Sequence, residues 1–300
     1  LGLPFTVLDF KEAYKEKVVE YFFDEYHKGK TPNPDVMCNK EIKFGLFYEW
    51  AMAHGFDYVA TGHYAQVEND KLIASVDEHK DQTYFLYRLT SDQLKHILFP
   101  VGHLPKSAVR AEAKQRHILV ADKKDSVGIC FIGDINVHEF LKERLGENPG
   151  DVVDTHGHII GKHTGLWFYT VGQRHGFTID AVTVIDGANG ESINKHNIPP
   201  FYVIKKIPDK NQLVVGFGVE TYQSSFEVDD IHWIGEVPTT SELLVRIRHT
   251  GELFPCTLRD SRVELEHSIQ GIAEGQSAVF YTRDTPHVCL GGGVIGCRIK

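Results

Sequence analysis

The sequence predicts an α/β domain over residues 1–135, a β-rich domain over residues 136–222 and a small closed β-barrel over residues 223–300. Three observations lead there. Strand-like and helix-like runs alternate up to about residue 120, the pattern of an α/β layer. Beyond Pro149 short apolar pairs separated by turn residues replace the helical spacing. From about Phe226 the chain is almost all alternating strands, as in a small barrel. At 300 residues there is room for two or three domains, and 42% hydrophobic with 24% charged residues is a globular balance.

The elements follow in order. Residues 3–8 are β-like, and the chain meets that stretch without an initial methionine, as expected if the start of a domain lies outside it. Tyr14, Val18, Tyr21 and Phe22 are spaced for a helix that Gly29 stops. Residues 31–44 then join two prolines, a carboxylate and a thiol: Pro32 and Pro34 stiffen the presentation of Asn33 and Asp35, and Asn39 reads as the N-cap of a helix through Ile42, Leu46, Phe47 and Trp50. Cys38 would then lie near a helix N-terminus, where the dipole favours thiolate. Two readings stay open for it, a reactive thiol and a small buried hydrophobe.

Tyr58, Val59 and Ala60 form a short strand that feeds Thr61-Gly62-His63-Tyr64, the place where open α/β sheets bind ligands. Residues 72–75 read as a strand before Lys80-Asp81-Gln82. Ser91 caps a helix over Leu94, Ile97 and Leu98, and Pro105 with Ser107 opens another over Val109, Ala113 and Ile118. A second thiol, Cys130, follows in a glycine-flanked loop beside lysines. Asn136 with Glu139 starts a helix ending at Gly146.

In the second domain Val152, Val153, Ile159, Ile160 and Trp167-Phe168-Tyr169 read as strands, and residues 201–207 pair with 213–215 around Asp209-Lys210-Asn211. Residues 187–200 read as a long polar loop. The barrel strands fall at residues 243–247, 256–259, 263–266, 278–281 and 293–299, with Gly291-Gly292-Gly293 as a bulge.

Composition narrows the function classes. No apolar run reaches the roughly 18 residues of a membrane helix, which excludes a helical membrane span. Five scattered cysteines without a Cys-x-x-Cys pair argue against a secreted disulfide framework and a zinc ribbon, and fit a cytoplasmic protein. The 17 histidines show no His-Glu-x-x-His arrangement, so no tightly bound metal is expected. A net charge of −9 weighs against nucleic acid as partner unless basic faces are local.

The two cysteine loops, Ala60-Thr61-Gly62-His63-Tyr64-Ala65, Lys80-Asp81-Gln82, Gly172-Gln173-Arg174-x-Gly176 and Gly275-Gln276 together resemble the tRNA-specific 2-thiouridylases, in the same order along essentially the whole chain. The resemblance implies an adenine-nucleotide alpha-hydrolase-like parallel sheet for the first domain, and an ATP-dependent sulfurtransferase acting on the wobble uridine of tRNA. By that resemblance Cys130 carries a persulfide, Cys38 is the second catalytic thiol and Asp35 the acid/base. Asn33, Pro34 and Asp35 hold the target base, and Gly62 contacts ATP, with magnesium expected beside it. His63, Lys80, Asp81, Gln82, Arg248, His249 and Gln276 contact tRNA, and a relay protein donates the sulfur. Tyr64 and Tyr84 read equally as stacking faces for a splayed base and as core.

The family's glycine-rich pyrophosphate loop is not found in this sequence, so the expectation is a partial nucleotide-binding sheet and a chain that does not adenylate by itself. Two other classes compete: a tRNA-binding protein without catalysis, and a redox dithiol protein in which Cys38 and Cys130 cycle without RNA.

Overall fold

The computed structural model describes residues 2–123, 136–181, 183–185, 190, 192–194 and 199–296. Its first helical stretch runs Lys11–Tyr14, widens into π-helical turns over Lys15–Glu20 and returns to α geometry over Tyr21–His27. Val18, Phe22, Phe23 and Tyr26 form its buried stripe, and Gly29 leaves it at φ +79°. The preceding residues 3–8 are not a strand. Leu3, Phe5 and Val7 are exposed, and among the described residues no strand pairs with this stretch.

The second helix begins six residues, nearly two turns, earlier than the sequence suggests. Asn33, not Asn39, is its N-cap: Oδ1 accepts from Val36 N at 3.3 Å, and Pro34 fills the first turn, where a missing N–H costs nothing. It continues through π-helical turns over Cys38–Leu46 into Phe47–Ala53. Val59–Ala60 is the expected short strand, and its parallel partner is Ile97–Leu98. The helix expected across that partner stops at Leu94, capped by Thr90 with Gln93 in a reciprocal box.

Leu72 and Ile73 sit on a strand, Lys71–Ala74, that leaves the α/β layer. It pairs with Ala65–Glu68 on one side and with Val288–Ile295 of the last domain on the other. That last domain is a closed barrel of six strands, in the order Tyr222–Trp233, Arg262–Gln270, Phe254–Arg259, Glu242–Arg246, Ser277–Tyr281, Val288–Ile295 and back to Tyr222–Trp233. Closure buries Phe226, Val228, Leu243, Val245, Val263 and Phe280 inside. The glycine run is a bulge, as its composition suggests: the pairing steps from Phe280↔Gly291 to Tyr281↔Cys289. Gly292 and Gly293 are needed there, because an added Cβ would stand 2.5 Å from Ala278 O and Asp229 O respectively.

The middle sheet orders its strands Tyr202–Ile207, Gln212–Gly216, Gly150–Val153, Ile159–His163 and Thr178–Ile179. The hairpin turns at Asn211, φ 49°. Two expectations fail here: Leu166–Phe168 is a 3₁₀ turn, and Ser192–Asn194 is a strand paired with Thr183–Ile185 inside what read as a polar loop. Phe201, Val203, Leu213 and Val215 give this sheet a core of its own.

Candidate active site

The residues that carry the chemistry in the sequence gather where the first domain meets the barrel. The stretch before the second helix is fixed from the barrel side: Thr31 N donates to Glu274 O at 2.8 Å, and Gln276 Nε2 donates to Thr31 O at 2.9 Å and Pro32 O at 3.2 Å. Gly275, at φ +90°, lets that turn approach, since a Cβ there would meet Thr31 N and O at 2.9 Å. The middle domain touches the same stretch, Thr31 Oγ1 lying 3.3 Å from Thr170 Oγ1. Asp35 therefore stands in the first turn of a helix held at both its cap and its approach, and Cys38 follows it by three residues, on the same side of the helix.

Cys38 is not at the helix N-terminus. It lies in the second turn, fully buried in a cluster with Val18 and Ile42, and opens the π-helical stretch in which Phe47 N reaches back to Ile42 O. Of the two readings left open for this thiol, its resting environment is the apolar one. Cys256 and Cys289 are buried thiols inside the barrel region, and burial pushes Cys256 up to about 12, so both pack and do not ionise. Cys130 and its loop lie outside the described residues.

Beneath the helix is a polar joint. Asp81, 2% exposed, accepts from Ser75 N at 3.1 Å, Thr83 N at 3.3 Å, Thr83 Oγ1 at 2.7 Å and Arg246 Nη1 at 2.5 Å. The hydroxyl proton of Thr83 is thus committed to Asp81, so across the 3.0 Å contact between Thr83 Oγ1 and Tyr281 the tyrosine is the donor. Tyr84, buried completely, donates toward Ser277 O at 3.0 Å and Ile247 O at 3.3 Å. Tyr84 and Tyr64 are core, not stacking faces. The resemblance makes Asp81 an RNA-contacting position, and the structure places it differently: with its carboxylate filled from inside, it supports the Lys80–Gln82 loop from below.

His249 rides above this joint, its ring 4.3 Å from that of Phe85 at 39°. Burial holds it below the usual histidine range; Asp81 and Asp35 pull it up, while Arg246 and Lys80 push it down. That balance puts Asp35, Lys80 and His249 within electrostatic reach of one another. Arg248, its neighbour, is exposed.

Alongside the same helix is a cleft of about 560 Å³ lined in part by Ile42, Lys43, Thr61, Gly62, His63 and Gln82. Gly62 faces open space, so its backbone is free to be approached. His63, by contrast, is turned inward: it pairs with Thr61 Oγ1 at 2.8 Å, and burial, with Lys43 adding to it, drives it down to about 3. Gln82 Oε1 accepts from Tyr64 N at 2.9 Å, which ties the loop carrying it to the Gly62 turn.

Family models match the chain in three successive stretches. A tRNA methyl transferase HUP domain model matches residues 1–134, a tRNA methyl transferase PRC-barrel domain model residues 138–217 and an aminomethyltransferase beta-barrel domain model residues 223–295. The tRNA-specific 2-thiouridylase MnmA of Listeria monocytogenes serovar 1/2a is 44% identical over 98% of this chain and 78% of its own length. The proteins of the same name from Oceanobacillus iheyensis and Bacillus subtilis are 42% and 40% identical, over 100% and 98% of this chain and 80% and 79% of their own. The chain belongs to the tRNA-specific 2-thiouridylase family.

Three residues that shape this candidate site are not singled out as site residues by the sequence. Arg246 alternates with Val245 and Ile247, which places it on the outer face of a barrel strand, where a charge is ordinary. Only the docking of the first domain buries it. Asn39 reads as a helix cap and is instead a buried helical residue, with Nδ2 3.4 Å from Phe85 O. Phe85 carries no motif in the sequence and is the shelf for His249.

Proposed function

We propose that this protein transfers sulfur to carbon 2 of the wobble uridine of tRNA, with ATP activating the C2 oxygen and a persulfide on Cys130 supplying the sulfur. The observation that carries the reading is the placement of Asp35 and Cys38 on one side of a helix that Asn33 caps and Gln276 braces from the barrel. The names of its relatives, all tRNA-specific 2-thiouridylases, point the same way.

The chemistry explains the residue types. Oxygen is a poor leaving group from C2, so the uridine O2 first attacks the α-phosphorus of ATP and expels pyrophosphate. The terminal sulfur of the Cys130 persulfide then adds to C2 and AMP departs with the oxygen. Cys38, as thiolate, attacks the inner sulfur of Cys130, leaving sulfur on C2 and a Cys38–Cys130 disulfide that an external thiol reductant must reopen. Asp35 serves as the acid/base beside the reacting base. Asn33 and Pro34 flank the base. Lys80, Gln82, Arg248, His249 and Gln276 lie toward the RNA, with Asp81 as their support. The disulfide step requires Cys38 to leave its apolar cluster, because the two Cβ atoms must come within about 3.5 to 4.5 Å.

The Gly62 cleft is open enough for a nucleotide, and Gly62 with the rim above His63 would hold it. Among the described residues no group of three His, Cys, Asp or Glu side chains is placed to hold a metal ion, and no step here runs through magnesium. Among them, too, no helix is long and apolar enough to cross a membrane. The cytoplasm, where tRNA and a sulfur-relay donor meet, is the proposed site of action.

The fully buried Cys38 favours a second reading, tRNA binding without sulfur chemistry. The two separate in cells lacking their own wobble-uridine thiolation: 2-thiouridine in digested tRNA is measured by mass spectrometry with the wild type, Cys38→Ser and Cys130→Ser. The sulfur-transfer reading expects each variant to fall by at least ~100-fold while tRNA affinity stays within about twofold. Undiminished 2-thiouridine with Cys38→Ser sinks it.

A further inference from the structure

Asn39 is 3% exposed, yet its Oδ1 is buried with no hydrogen-bond partner among the described residues. An orphaned buried acceptor is costly, so a use for it is expected. Its orientation is set by its other end. Nδ2 points at Phe85 O, a group that can only accept, so the amide cannot be flipped without setting two acceptors against each other. The atom left over is therefore an acceptor. It belongs to the residue next to Cys38 and is tethered to Phe85, whose ring carries His249.

A uracil offers one donor on its pairing edge, N3–H, and N3 is bonded to C2, the carbon that receives sulfur. Cytosine has a bare acceptor at N3. We infer that Asn39 is a specificity-determining residue, whose Oδ1 accepts the N3–H of the target uracil as C2 is presented for sulfur transfer, so that cytosine at the same position is refused. This rests on the tRNA-uridine reading above and adds to it how the base is told apart. The refusal has a physical basis: cytosine N3 would face Asn39 Oδ1 lone pair to lone pair, in a place closed to water.

The test uses the full chain and three anticodon stem-loop RNAs, identical except for uridine, 3-methyluridine or cytidine at the wobble position, plus an unrelated hairpin of equal length. Fluorescence anisotropy gives the affinities. The wild type is expected to bind the uridine RNA roughly tenfold more tightly than the cytidine or 3-methyluridine RNAs, the worth of about one net hydrogen bond. Asn39→Ala is expected to bind all three within about twofold. Equal wild-type binding of uridine and 3-methyluridine, with the unrelated hairpin still bound more weakly, overturns the role of Asn39 alone. So does Asn39→Ala that keeps the full uridine preference. No preference for any anticodon stem-loop over the unrelated hairpin overturns the tRNA reading with it. Where Asn39→Ala does not fold, Asn39→Asp, which keeps an acceptor at the same place, is expected to retain the uridine preference and Asn39→Leu to lose it; a folded Asn39→Leu with the full preference overturns the role.

Discussion

Asp81 and Arg246 show why a single buried pair can govern a surface far larger than itself. Their side chains are 1% and 8% exposed, and the carboxylate also orders Ser75 and Thr83, so removing one partner strands the other in a place without water. Breaking such a pair costs about 3 to 5 kcal/mol, more than the two ions are worth over well-packed apolar groups. Arg246→Met is expected to lower the urea midpoint sharply, and the double variant Asp81→Asn with Arg246→Met to recover part of the loss. A double variant as damaged as the sum of the singles would argue that the two act independently. His63 gives the pH dependence. Burial lowers it from its ordinary 6.5 to about 3 in the folded chain, so between those values the unfolded chain takes up a proton that the folded chain refuses. Stability is complete above about pH 6.5 and falls as pH drops toward 3, at up to about 1.4 kcal/mol per pH unit. Urea midpoints at pH 7 and pH 5 are expected to differ by less in His63→Gln than in the wild type.

At the scale of elements, the turn Gly275-Gln276 decides where the Asp35 helix begins. Gly275→Ala sets a Cβ 2.9 Å from Thr31 N in a backbone region that side chains avoid, so the turn must withdraw and take the Gln276 amide with it. The expected result is a loss of about 1 to 3 kcal/mol in stability. Thiolation is expected to fall by more than that loss alone would cause, seen as a drop in 2-thiouridine under conditions where the variant remains folded by circular dichroism. The sequence reveals this turn as a motif but not as a brace, because nothing in Gly275-Gln276 names Thr31 as its neighbour. Legibility elsewhere follows the same line. Local signals carried the bulge at the glycine run, the turn at Asn211, the cap at Asn136 and the inward stripe of the first helix. Decisions that depend on a distant partner went astray. Ile97–Leu98 is a strand because Val59–Ala60 lies alongside it, and residues 3–8 are not, because nothing does. Pro34 serves two purposes that the sequence cannot rank, stiffening a loop or starting a helix, and Asn33 decides it by capping.

Across the whole molecule the first domain and the barrel share one large core, while the middle sheet has a core of its own and meets the first helix through a smaller cluster of Phe22, Phe23, Tyr26, Leu141, Trp167 and Phe168. Lys71–Ala74 is hydrogen-bonded into the barrel's sheet, and one buried cluster runs from Val36, Phe44, Leu72 and Tyr84 to Val279, Tyr281 and Cys289. The middle sheet closes on its own residues, Val152, Ile160, Leu213 and Val215 among them. Cooperative unfolding follows shared burial, because a domain cannot expose its half of a common core without exposing the other half. The three tryptophans sample this arrangement, with Trp50 in the first domain, Trp167 in the middle domain where it meets the first helix, and Trp233 on a barrel strand. Variants keeping one tryptophan each, the others replaced by phenylalanine, are expected to give the same urea midpoint for Trp50 and Trp233 and a different one for Trp167. Arg246→Met should shift the first two together and leave the third nearly in place. Midpoints for Trp50 and Trp233 that part from each other would mean that the joint under the active site is an interface between separate bodies, and that the position of Asp35 relative to His249 is not fixed by folding.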